Sequence, residues 1–264
     1  MAILTSDNLY TALSASQRRP VIKASLSTTL GRTTSLWTAG GFPSAGVAPA
    51  ATANAIPNST TLGALPFTNP TGGPLSYLAA AMGFSSSTAG TLIVYDRVLH
   101  SAGLNGTVIT AQSTTGSTAD RGDHIGNQLF IEGYTALGST ATNVVASYTN
   151  AAGVAGRTTV SQPLFASFPV AAMQGLPLQA GDTGVRSVES VTLSASTLTA
   201  GSFGVTVVRE LARVPIVTAN IPAMLDALAL GMPVFADNAC LSFAFVSTSG
   251  VTGAVQGLIS IAQG

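Results

Sequence analysis

The feature that most constrains this chain is a pattern written three times: a strand-like run, a short polar turn, and a second strand-like run. The first copy spans Pro74 to His100 and reads PLSYLAAAMGF, SSSTAG, TLIVYDRVLH. The second spans Val185 to Arg213 and reads VRSVESVTL, SASTLTAG, SFGVTVVRELAR. Thr88-Ala89-Gly90 is thus echoed by Thr199-Ala200-Gly201, and Arg97 by Arg209. A looser third copy, ACLSFAFV, STSGVTG, AVQGLISIAQ, ends at Gln263. The flanks are apolar and β-branched and the centres small and polar, which predicts three hairpins. Repeated hairpins predict an all-β chain with a β-sandwich or jelly-roll-like body. The Ala-rich run before Phe84 has helical propensity, and the repeat decides for a strand there.

Around these copies the pattern is simpler. Ser6 to Gln17 reads as a short amphipathic helix capped by Ser6 or Asp7, with Leu9, Tyr10 and Leu13 on one face, stopped by Pro20. Strands are expected over Val21 to Leu26, Arg32 to Trp37, Gly103 to Ala111, Gln128 to Ala136, Asn143 to Tyr148 and Arg157 to Ser161, the last three as a meander. A second helix is expected from Asn220 to Leu230, with Pro222 in its first turn and Gly231 past its end. Between them, Thr38 to Gly73 is a run of Ala, Gly, Pro, Thr and Asn whose composition builds no core. The chain therefore divides into residues 1–73, a helix, a strand and an extended arm, and residues 74–264, the β body. A structureless loop this long is unusual in a free-standing domain, so the arm is expected to lie on neighbouring subunits. It offers Trp37, Phe42, Ile56, Leu62, Leu65 and Phe67 as apolar interface pegs, and its removal is expected to leave a folded body.

Charge separates this chain from ordinary soluble domains. Only 8% of its residues are Asp, Glu, Lys or Arg, against about 25% as a rule, and 10 basic side chains balance 10 acidic ones. Such a surface suits burial in an assembly better than free diffusion. Lys23 is the only lysine, so the usual guard against edge-to-edge strand pairing is nearly missing. Scattered arginines and a net charge of +0 argue against nucleic acid as a partner. No apolar run is long and unbroken enough for a membrane helix, and the first residues lack the pattern of a targeting segment. The single cysteine, Cys240, forms no internal disulfide and reads as a buried structural thiol.

Chemistry is hard to find. No phosphate-binding loop surrounds Lys23, and no G-x-S-x-G elbow is present. Asp120, Asp123 and His124 are close in sequence but fit no calcium or zinc spacing, so the loop reads as solvated, with no metal and no cofactor. The same loop holds Arg121-Gly122-Asp123, a tripeptide that can act in adhesion when displayed on a turn. Asp96 with Arg97, and Arg209 with Glu210, are neighbours on strands and point to opposite faces, so each is expected to pair structurally across strands or subunits. No catalytic residue is assigned, and the chain is expected not to be an enzyme.

The runs TLIVYDRVLHSAGLNGTVITAQ, VVASYTNAAGVAGRTT and LPLQAGDTGVRSVESVTLSASTLTAGSFGV, with the ending DNACLSFAFVSTSGVTGAVQGLISIAQG, resemble structural virion proteins of tailed bacteriophages across nearly the whole chain. The resemblance marks no site. It implies a β-rich particle component assembled in the host cytoplasm, a homo-oligomer whose partners are other virion proteins. A major capsid protein of that family needs a long spine helix, which this sequence lacks. A head decoration or cement protein bound to the major capsid protein fits better. A tail tube, baseplate or fibre-attachment component is the alternative, and a carbohydrate-binding β-sandwich module the second.

Overall fold

A computed structural model of the chain describes residues 3–71, 73 and 75–264. Met1 and Ala2 at the start, Gly72 in the expected arm, and Pro74, the expected first residue of the repeat, lie outside the described residues. In chain order the elements are α1 (Ser6–Ser14), β1 (Gln17–Lys23), β2 (Thr33–Ser35), β3 (Gly41–Phe42), β4 (Ser76–Ser85), β5 (Gly90–His100), β6 (Gln112–Ser113), β7 (Asn127–Thr135), β8 (Thr142–Asn150) and β9 (Arg157–Thr158). They continue with β10 (Gln162–Leu164), β11 (Ala172–Leu176), β12 (Val185–Leu193), β13 (Ser202–Ile216), β14 (Ala223–Leu225), α2 (Ala227–Leu230), β15 (Val234–Phe235), β16 (Leu241–Ser247) and β17 (Val255–Gln263). The all-β class is as the sequence predicts. No described helix is long and apolar enough to cross a membrane.

The chain forms two compact units. The first gathers the chain up to Gly46, Asn58–Asp96 and Leu211–Gly264; the second gathers Val47–Pro57 and Arg97–Glu210. The expected boundary between residues 73 and 74 falls inside the first unit. Strands β5 and β13 begin in one unit and end in the other.

In the first unit, β14, β4, β17, β1 and β3 lie in that order in one sheet, with β15 also on β4. A second sheet is made by β2, β16 and the first part of β5, with Leu241 opposite Asp96 and Ser247 opposite Gly90. Leu36, Leu78, Leu92, Phe243, Phe245 and Ile259 are among the side chains of its core. Removing such residues from water contributes roughly 1.5–3 kcal/mol each.

The repeated segments are strands, as expected, but they are not hairpins. β4 pairs with β17 and β5 with β16, so each copy turns a corner from one sheet to the other and two such arches pair along their length. The corners support one another. Ser86 N donates to Ala254 O at 3.0 Å, Thr248 N to Ala89 O at 3.1 Å, and Ser85 Oγ to Thr252 O at 2.7 Å. Small hydroxyl side chains satisfy backbone groups that leave a ladder, which explains why SSSTAG and STSGVTG are built from them. Gly90 is required by contact, because a Cβ there would sit 2.3 Å from Val246 O and 2.7 Å from the Phe245 ring.

The second unit repeats the construction. β10, β8, β12 and β6 form one sheet with β9 on β8, and β11, β7 and the first part of β13 form the other. β7 pairs with β13 and β8 with β12, again two paired arches rather than a meander. Their corners touch where Ser194 N donates to Asn143 O at 2.9 Å and Ala195 N to Thr142 Oγ1 at 3.0 Å. Thr88-Ala89-Gly90 and Thr199-Ala200-Gly201 therefore stand at equivalent corners, each leading into a strand of the smaller sheet. Arg97 follows Gly90 by one residue less than Arg209 follows Gly201, so the two arginines fall on opposite faces. Arg97 is buried and Arg209 is partly exposed. The core of this unit includes Leu129, Ile131, Tyr148, Phe168, Val188 and Phe203.

Several expectations give way to other structure. Gly103 to Ala111 is not a strand; it holds turns and one isolated bridge, Leu104 to Phe203. The helix expected from Asn220 shrinks to Ala227–Leu230, because Asn220 takes a left-handed conformation and Asp226 is the cap, accepting from Leu228 N and Ala229 N. Gly231 ends it as expected, with φ 65°. In α1 the cap is Thr5, and Ala12 rather than Tyr10 is the buried contact.

The stretch Thr38 to Gly73 is not an arm reaching away from the chain. Ala39, Ala64 and Leu65 belong to the first unit's interior, and Leu65 N donates to Leu241 O at 2.9 Å. Val47–Pro57 belongs to the second unit, where Ala55 exchanges hydrogen bonds with His100 at 2.9 and 3.0 Å. Asn54 Nδ2 donates to Val188 O at 2.7 Å. Removing Thr38 to Gly73 would take core out of both units, which overturns the expectation of an intact body.

Candidate functional site

Among the described residues the charged Lys23, Asp96, Arg97, Arg121 and Glu132 are buried, so the surface is poorer in charge than the composition alone says. Lys23 Nζ donates to the carbonyls of Ala39 at 3.2 Å, Pro43 at 2.8 Å and Ser44 at 3.3 Å. Burial lowers its pKa to about 8. The one lysine thus fastens the turn after β2 and guards no edge. Asp96 accepts from Cys240 N at 2.8 Å, and Cys240 is buried and free, as expected. Arg97 pairs with Glu132 inside the second unit, a structural pair across strands of the kind expected.

What the surface exposes instead of charge is apolar. From Val214 to Leu225 no residue is charged, and here Val217 is 80% exposed and Met224 64%, followed by Leu228 at 88%. Met224 lies on β14, the last strand in the order of its sheet, and Leu228 on α2 beside it. Nearby, Leu228, Ala227, Leu13 and Ala80, with the charged Arg18 and Asp226, line a hollow of about 380 Å³. Sequence reasoning missed this face because the expected amphipathic helix would have turned its apolar residues inward. A run of large apolar residues free of charge was the available signal.

The six expected pegs scatter. Trp37 and Leu65 are interior residues of the first unit and cannot meet a neighbour. Phe67 packs edge-on against Phe235, ring centroids 5.4 Å apart, and is half-buried. Ile56 is half-buried against the second unit's core. Only Phe42 and Leu62, 38% and 53% exposed, face solvent, both lining a shallow hollow of about 480 Å³ with Pro43 and Pro66.

The loop from Asp120 to His124 does not gather ligands. Arg121 is buried, donating to Pro57 O at 2.9 Å and Arg97 O at 2.8 Å, so Arg121-Gly122-Asp123 is not displayed as an adhesion turn. Asp123 lies 3.3 Å from Arg209. Among the described residues no group of three or more acidic, His or Cys side chains could hold a metal ion. His100 is buried near Arg97, and burial first, then that guanidinium, lower its pKa to about 3 against the opposing pull of Glu132.

No protein-family model matches the chain, and no curated protein matches it. Solved structures that align with it include several from infectious bursal disease virus. They include the VP2 subviral particle, 9% identical over 94% of this chain and 79% of that chain, TM-score 0.18. The Gx strain structure is 11% identical over 94% and 80%, TM-score 0.19, and the Gt strain structure 11% over 94% and 81%, TM-score 0.16. TM-scores this low establish no common fold.

Proposed function

We propose that this chain is a structural, non-enzymatic subunit of a virus particle that assembles with its own copies through the face around Val217, Met224 and Leu228. The observation that carries the reading is the exposure of Val217, Met224 and Leu228, with Asp226 the one charged residue among them, on a surface where charge is scarce. Monomeric proteins rarely expose a contiguous apolar patch beyond a few hundred Å², and larger ones mark contact sites. The more specific role is a head decoration or cement protein of a tailed bacteriophage, set on the shell of the major capsid protein. It is supported by the resemblance of the runs around Asp96, Val145, Asp182 and Asn238 to that family. Because Trp37 and Leu65 are interior, retention on the shell is assigned to copies joined through the Val217–Leu228 face rather than to the stretch Thr38 to Gly73.

The test is to mix purified chain with undecorated phage heads and sediment them. Saturable co-sedimentation, lost in Met224→Glu with Leu228→Glu, is the expected result. Self-assembly into shells without heads would replace decoration by a shell role, and a chain that does neither would overturn the assignment.

A further inference from the structure

A groove of about 590 Å³ lies in the second unit between β7 and the segment after β11. Its floor carries an aromatic ring. Phe130 on β7 stands opposite Gly175 on β11, and a Cβ at Gly175 would lie 3.4 Å from Phe130 Cε1 and 3.8 Å from Cδ1. The missing side chain leaves that side of the ring uncovered. Gln128, two residues before Phe130, is exposed on the same face of β7.

The other wall is a turn, Gln179 to Thr183, closed by Asp182 N donating to Gln179 O at 3.1 Å. Four side chains fix its shape from behind. Asp182 accepts from Arg157 Nε at 2.9 Å, from the Tyr148 hydroxyl and from Asn150 Nδ2 at 2.7 Å. The Tyr148 oxygen in turn accepts from Gln179 N at 2.9 Å. Hydrogen bonding from Arg157, then from Tyr148, lowers the Asp182 pKa to about 2, so its carboxylate stays ionised at any physiological pH. The exposed Gln179 and Thr183 line the same groove as the ring, and Gln179 Oε1 also accepts from Thr158 N at 3.5 Å, which leaves its amide NH2 as the donor on offer.

We infer that this groove is a binding site for a neutral saccharide. A pyranose offers an apolar C–H face to an aromatic ring and hydroxyl groups to amide and hydroxyl side chains, the combination found here in Phe130, Gln128, Gln179 and Thr183. The volume is within the range of small-ligand sites. Arg157 is committed to Asp182 and leaves no free cation in the groove, so an acidic sugar finds no counter-charge. The groove is shallow and its polar groups are few, so affinity for one sugar ring is weak, on the order of 1 mM. Many copies on one particle would raise it by avidity.

The experiment is saturation-transfer-difference NMR on the full chain with the methyl glycosides of glucose, galactose and mannose, and that of N-acetylneuraminic acid as the anionic comparison. Transfer to at least one neutral glycoside is expected, lost in Gly175→Val, whose side chain covers the ring at ordinary contact distance. Phe130→Ala should weaken binding about tenfold, and Asp123→Asn, outside the groove, should leave it unchanged. Unchanged circular dichroism would show that both groove variants are folded. No transfer to any neutral glycoside, transfer to the anionic one alone, or full transfer in both folded groove variants would overturn the site.

Discussion

Arg97 and Glu132 meet inside the second unit as a two-pronged ion pair, Nη1 to Oε2 at 2.7 Å and Nη2 to Oε1 at 2.9 Å, with almost no exposure of either side chain. Thr206 and Tyr134 also donate to the carboxylate. Desolvation of two charges offsets most of their attraction, so the pair does little for net stability, but each charge is needed by the other. Arg97→Met alone should therefore destabilise by about 3–5 kcal/mol, and Arg97→Met with Glu132→Leu by clearly less. Urea unfolding of the three proteins measures both. A double variant worse than the single one would contradict this reading.

His100 gives the fold an acid-sensitive term. Its pKa inside the fold is about 3, below the ordinary 6.5, so the folded state favours the neutral ring. The stabilisation is complete above pH 6.5 and is lost as pH falls from there towards 3. Between about pH 7 and about pH 4.5 the wild type should lose roughly 2–3 kcal/mol more than His100→Gln. Asp182, lowered from 3.8 to about 2, contributes in a lower window that lies below about pH 4.5, losing its share only as pH falls through that range. Equal pH slopes in the two proteins would show that His100 titrates normally.

The arches make a prediction about glycine. A Cβ at Gly204 would lie 1.8 Å from Ser101 O, so Gly204→Ala must move backbone and should destabilise by several kcal/mol. Gly250 has open space and no left-handed φ, and Gly250→Ala should be neutral or stabilise by about 0.4–1 kcal/mol. Thermal unfolding separates the two outcomes.

The long strands were legible in the sequence, while the short ones, such as β11 and β14, and all the partners were not. β5, β12 and β13 follow from β-branched, apolar runs, and the Thr-Ala-Gly echo marks true equivalence of position. A short Ser/Thr/Gly turn suits a hairpin and a corner between sheets equally well, and the choice rests on long-range pairing such as Gly90 with Ser247. The run TLIVYDRVLH carries apolar residues on both faces, the local hint that β5 is an inner strand, and Leu92 to His100 are buried on both. The stretch Thr38 to Gly73 misled for a different reason. Its composition is that of a linker, yet the few apolar residues in it, Leu65 above all, are interior.

Leu65→Ala should accordingly cost about 2–5 kcal/mol, whereas Leu62→Ala, at an exposed position, should change stability little. Chemical denaturation of both variants checks where the apolar side chains of this stretch are used. Comparable losses would return them to a common, exposed role.

The central claim is that the apolar face around Met224 and Leu228 on the first unit joins copies of this chain. Sedimentation velocity of the wild type and of Met224→Glu with Leu228→Glu, across a wide concentration range, tests it most directly. Defined oligomers in the wild type, replaced by a folded monomer in the variant, are the expected result. A wild type that stays monomeric at the highest concentration, or a folded variant that associates as the wild type does, would contradict it.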